Sequence, residues 1–109
     1  MRSAGLSVGV AVLLALAAPV APAAADGDVA AGHGKAKKCA ACHGIDGKAK
    51  LPDAPNLAGQ NPIYLVAALN AYKSGARKND MMSLVAPKLS DQDIADLAAY
   101  YASLGAAPK

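Results

Sequence analysis

Cys39-Ala40-Ala41-Cys42-His43 sets two thiols three positions apart, with an imidazole directly after the second. On a helix, positions i, i+3 and i+4 share one face, so all three groups can point toward one flat macrocycle. Sulfurs so placed can bond the edge of a haem covalently while the imidazole lies under its iron. That is the attachment signature of a c-type haem. Three other chemistries use a CxxC. Zinc normally takes four ligands, and His33 is the only other histidine, with no further cysteine. A redox-active dithiol belongs in a βαβ context, whereas the flanking sequence is helical with no strand-like run. A short-loop disulfide leaves His43 and the downstream pattern without a role. Covalent haem is the reading adopted, with the dithiol as its rival.

Two further stretches suit the same chemistry. Met81-Met82 lies between the second and third predicted helices, and the only other methionine is Met1. A methionine thioether opposite a histidine is the ligation of electron-carrying haem proteins. Methionine also fills core gaps, but this pair is expected in a loop, off any helical stripe, so either could be the sixth ligand. Pro55-Asn56-Leu57-Ala58-Gly59 falls in a stretch, Lys48 to Gln60, read as loop. A ligating histidine usually donates its other ring N–H to an acceptor that fixes its orientation. The carbonyl of a rigid proline such as Pro55 suits that task, and Leu57 could cover a haem face.

The elements that must position these groups are helical. Residues 1–25 read as an export signal: Arg2, an apolar run from Leu6 to Ala18, and Ala23-Ala24-Ala25 for cleavage before Asp26. The run is shorter than the ~20 residues a membrane span needs. Cleavage leaves residues 26–109, one domain of 84 residues carrying 10 basic and 8 acidic side chains. Net +2 with no long basic run gives no case for nucleic acid. With four tyrosines as its only aromatics, so small a domain needs a staple, and a covalent haem would complete its core.

The first helix is expected from Asp28 to His43, capped by Asp28 and closed by Gly44 in a left-handed conformation. Its Gly32-His33-Gly34 centre suggests close approach of another backbone, with His33 facing solvent. Asn61-Pro62 opens the second helix, whose stripe is Leu65, Leu69 and Tyr72 and whose stop is Ser74-Gly75. Arg77 to Asp80 is expected exposed. Ser90 with Asp93 opens the third helix through a capping box. Ile94, Leu97, Tyr101 and Leu104 form its buried stripe, Tyr100 its edge, and Gly105 its end.

In the order of these motifs the chain resembles a class I c-type cytochrome of the small periplasmic kind, similar to the half-domains of dihaem bacterial cytochromes. The carrying residues are Cys39 to Gly44, Pro55 to Gln60 and Leu89 to Tyr101. The resemblance implies an all-α small cytochrome c fold, with about three main helices wrapped around one haem held by Cys39 and Cys42. It implies His43 as proximal ligand, the Pro55 carbonyl as its acceptor, and Gly32 crossing the last helix against Leu97 and Tyr100. In that family the ligand methionine stands seven residues before the leucine that opens the last helix, here Leu89, so the resemblance implies Met82 rather than Met81 as sixth ligand. The proline often found before that methionine is absent; Lys78-Asn79-Asp80 stand there.

The function implied is that of a soluble electron carrier in the periplasm, moving one electron between redox partner proteins, among them membrane-bound oxidase or reductase complexes. With both axial positions filled and no acid/base pair nearby, no enzymatic turnover is expected. Alternatives are the haem subunit of a periplasmic dehydrogenase complex and a gas-binding haem protein with a labile methionine. Lys35, Lys37, Lys38, Lys48 and Lys50 flank the haem motif while Asp91, Asp93 and Asp96 open the last helix. That asymmetry could steer an acidic partner.

Overall fold

The computed structural model of the chain describes residues 1–17 and 26–105. The expected cleavage site at Ala23–Ala25 lies outside the described residues. Among them there is no strand, and no helix is long and apolar enough to cross a membrane.

Five α-helices follow in order: α1 (Val29–Lys35), α2 (Ala40–His43), α3 (Pro62–Ser74), α4 (Met82–Val85) and α5 (Asp91–Ser103). The expected first helix spans the right residues but is not continuous. A 3₁₀ turn at Ala36–Lys38 separates α1 from α2, and the Cys39 N–H closes it on the Ala36 carbonyl at 2.9 Å. Two glycines weaken the α1 ladder, and the tighter turn seats Ala36 in the core with no exposure. The loop expected around the methionine pair contains α4 and a second 3₁₀ turn at Ala86–Lys88.

Local chemistry accounts for the helix starts. Asp28 accepts the Ala31 N–H, Asn61 accepts those of Ile63 and Tyr64, and Ser90 and Asp93 complete a reciprocal capping box. Gly75 closes α3 at φ 84°, ψ 4°, the left-handed cap. Gly44 differs: φ 75° with ψ 145° lies outside the left-handed helical region, at a positive φ that glycine adopts far more readily than other residues. The last helix ends at Ser103, not Gly105, capped by Leu104 on the Tyr101 carbonyl.

The core is built on α5. Ile94, Leu97, Ala98, Tyr100 and Tyr101 join Ala36, Leu65 and Leu89 in one buried cluster, with Cys39, Leu57, Val66, Leu69 and Leu104 packed half-buried against it. Tyr100 is therefore core, not edge, and exposed His33 stacks on its ring at 5.1 Å. Gly32 lets α1 cross α5 at close range. A Cβ there would overlap the Asp96 carbonyl and the Tyr100 Cβ, so Asp96 rather than Leu97 is the backbone it meets.

Asp96 ties the same crossing together. Its carboxylate, 2% exposed, accepts the Asp28 N–H at 2.8 Å, Lys35 Nζ at 2.6 Å and the Gln92 amide at 2.8 Å. The Asp28 N–H and then Lys35 hold its carboxyl below the usual carboxylate range. Asp93 is lowered to about 2 by the Ser90 N–H and by Lys35, 3.0 Å away. Lys35 is raised in turn by Asp96 and Asp93. The lysine expected to belong to a free basic face is thus paired with the acidic group expected to oppose it.

Candidate haem-binding site

The attachment turn runs from Cys39 into α2. The Cys39 carbonyl accepts the N–H groups of Cys42 at 3.3 Å and His43 at 3.0 Å, which puts the three side chains on adjacent positions of one turn. Cys39 and Cys42 are half-buried free thiols. Burial pushes the Cys39 thiol up, with Lys38 partly opposing.

His43 is 8% exposed. Its Nδ1 lies 2.9 Å from the Pro55 carbonyl. A carbonyl only accepts, so Nδ1 donates its N–H there and Nε2 is the ring nitrogen left for iron. Nε2 has no hydrogen-bond partner among the described residues and is not sealed off as an orphaned buried atom. This donor set fits a haem: two free thiols for its edge and a neutral imidazole with Nε2 available for iron. Among the described residues no group of three or more His, Cys, Asp or Glu side chains gathers around a point that could hold a bare metal ion.

The loop that carries Pro55 is closed by its own backbone. The Cys42 carbonyl accepts the Lys50 N–H at 2.8 Å, the Gly47 carbonyl accepts those of Leu57 at 2.8 Å and Ala58 at 3.1 Å, and Asn56 Oδ1 accepts the Ala49 N–H at 2.7 Å. Leu57, like Cys39, packs half-buried against the core cluster. The last helix grips the loop from the other side. The Tyr101 hydroxyl donates to the Gly44 carbonyl at 3.2 Å and the Tyr100 hydroxyl to that of Ile45. The Tyr101 carbonyl accepts the Gly59 N–H at 3.0 Å. Burial raises the Tyr101 phenol well above its ordinary range.

The sequence reading placed Tyr101 on the buried stripe and Tyr100 at its edge, and missed this role for both. A phenol spaced for burial carries no sign of which carbonyl it will meet. The signal available was chemical: a buried tyrosine usually finds a partner, and Gly44 and Ile45 directly follow the haem motif.

The methionines separate. Met81 is 59% exposed, whereas Met82, the first residue of α4, is half-buried. Arg77 anchors the start of their segment to α3, lying over the Tyr72 ring at 4.8 Å and donating to the Tyr64 hydroxyl at 3.3 Å. An open cleft of about 580 Å³ between the end of α3 and this segment is bordered by Tyr72, Lys73, Asn79 and Ser83; it includes no residue of the haem motif.

Known proteins share this arrangement. The chain is 50% identical over 80 residues to cytochrome c-554(548) of Halomonas halodenitrificans, covering 71% of this chain and 96% of that protein. It is 42% identical over 71 residues to the thiosulfate dehydrogenase electron acceptor of Stutzerimonas stutzeri, covering 62% of this chain and 33% of that one. The crystal structure of reduced recombinant cytochrome c4 from Pseudomonas stutzeri superposes with a TM-score of 0.67 at 42% identity, over 72% of this chain and 46% of that one. The chain thus spans nearly all of the first relative and less than half of the other two. The family model described as cytochrome c matches residues 29–105, from the start of α1 past the end of α5. The chain belongs to the cytochrome c family and carries one haem c.

Proposed function

We propose that the protein is an exported one-electron carrier whose haem is held by thioethers from Cys39 and Cys42, with His43 and Met82 as axial ligands. When bound, the haem supplies a one-electron iron couple. The observation that carries the reading is the His43 Nδ1–Pro55 hydrogen bond at 2.9 Å. It selects the tautomer, aims Nε2 and stiffens the ligand, so that the ring keeps one orientation in both oxidation states. The Met82 thioether favours the reduced state and thereby raises the potential. Leu57, Val66 and Leu69 pack half-buried against the same core cluster as Cys39. Cys39, Cys42, His43 and Met82 would hold the haem, and no residue turns over a substrate.

Residues 1–25 act as a signal peptide removed near Ala25, which places residues 26–109 in the periplasm, where thioether attachment takes place. Donor and acceptor are redox proteins. The likeness to a thiosulfate dehydrogenase electron acceptor favours a dehydrogenase as one donor and is compatible with the variant in which this chain is a dehydrogenase's haem subunit. Lys37, Lys38, Lys48 and Lys50, all exposed, remain to steer an acidic partner. Lys35 does not take part.

The purified protein tests this directly. Its mass should equal residues 26–109 plus one haem. The ferric form should show the weak far-red band of a methionine–iron bond, and the potential should titrate as a single one-electron step. A mass without haem would return the dithiol reading, and a high-spin spectrum would return the gas-binding one.

A further inference from the structure

We propose that Asn79, locked to Ser83, sets which of the two adjacent methionines faces the iron. The inference rests on Met82 being the sixth ligand. Nothing in α4 itself anchors that choice by packing: none of its residues is buried, and Leu84 is 64% exposed. Nor does a proline precede the pair to restrict the backbone.

Hydrogen bonds do that work instead. Asn79 Oδ1 accepts the N–H of Met81 at 3.0 Å and of Met82 at 3.0 Å. The Asn79 N–H donates to Ser83 Oγ at 3.0 Å, and the Ser83 N–H donates to the Asn79 carbonyl at 2.9 Å. Four bonds therefore close within five residues, and the first N–H groups of α4, which no helical carbonyl can reach, are satisfied. Met81 is held helical at φ −86°, ψ −49°. Successive helical side chains leave the axis ~100° apart, so a backbone fixed at this point can turn only one of the two inward. Met82 is the half-buried one. Asn79 is thus a positioning residue: it touches neither iron nor thioether and acts through the backbone of the ligand.

The test uses the haem-loaded protein and cyanide, which binds ferric iron only when the methionine lets go. Asn79→Ala should tighten cyanide binding roughly tenfold and weaken the far-red band, the size expected for losing one to two neutral hydrogen bonds. Asn79→Asp keeps the acceptor oxygen and should stay within about twofold of the unmodified protein, because the two N–H bonds survive. Ser83→Ala removes a single bond and should tighten cyanide about two- to threefold; it carries the test if Asn79→Ala does not fold. Met82→Ala is the reference and should lose the band outright. If it does so while Asn79→Ala and Ser83→Ala bind cyanide like the unmodified protein, the lock is overturned and the ligand assignment stands. A lower denaturation midpoint with unchanged cyanide affinity means the same. If Met82→Ala keeps its band, the ligand assignment falls and takes the lock with it.

Discussion

The two sides of the proposed iron site are held by different kinds of bond. On the histidine side, His43 is nearly buried, its ring tied to Pro55 twelve residues away, and the next two carbonyls are gripped by Tyr101 and Tyr100 from the last helix. On the methionine side, Met82 is half-buried and its backbone is held by Asn79 and Ser83, within five residues of one turn. Long-range bonds break only when the fold opens. A local turn can open by itself, at a cost set by its own few bonds. Ligand loss and exchange should therefore belong to the methionine side, and unfolding should govern the histidine side.

The largest effect comes from removing what both sides share. Cys39→Ala or Cys42→Ala, expressed with haem-attachment machinery, should leave the chain largely unfolded. A core with four tyrosines and no other aromatic buries too little surface alone. Circular dichroism decides it: a stable, helical, haem-free product contradicts the expectation.

Next comes the pair that contrasts the sides most sharply. Met82→Ala should lower the reduction potential on the order of 0.2 V, a fraction of the ~0.8 V that axial ligation spans. It should also admit carbon monoxide while leaving the helical spectrum intact. Met81→Ala, at an exposed position, should leave both spectrum and potential nearly unchanged. The reverse pattern would move the ligand to Met81.

The histidine side should respond in stability instead. Asp96→Ala strands the Asp28 N–H at the α1–α5 crossing and leaves Lys35 with Asp93 alone; it should cost about 2 kcal/mol, read from denaturant midpoints. The pH dependence has a definite sign. Asp93 and Asp96 are lowered in the folded state, so their contribution is complete above their unfolded values near ~4. It fades as pH falls toward about 2 for Asp93. Lys35 is raised, so its contribution persists below ~10.4 and is lost at higher pH. Between these limits the contribution of these three groups should be flat, and the acid slope should shrink in Asp96→Ala.

The smallest effect sharpens the comparison. Tyr101→Phe leaves the Gly44 carbonyl without its donor and should cost about 1 kcal/mol. Cyanide affinity should not change, because the bond lost lies on the histidine side. A rise in that affinity would show that the two sides are coupled through α5.

Much of this protein was legible residue by residue because the signals are local. The Cys39–His43 spacing, the Asn61 and Ser90 caps and the Gly75 stop each follow from chemistry within a few positions of the chain. So does the apolar period of α5. The break between α1 and α2 was not legible, since it depends on Ala36 being drawn into a core assembled from distant segments. Lys35 read as one of a basic group because its neighbours in sequence are lysines, whereas its neighbours in space are Asp93 and Asp96.

What the sequence determined by itself was the chemistry: a covalent haem motif, a proximal imidazole and two candidate thioethers. Only the tertiary structure decided which tyrosines grip the attachment loop, that Asp93 and Asp96 take Lys35, and which side chain holds the backbone of the two methionines. The physical reason is directional. Composition and spacing establish which groups exist and which share a face of their own helix. Where a hydrogen bond lands on another segment depends on how the helices meet, and the close approach of α1 to α5 depends on Gly32 against Asp96.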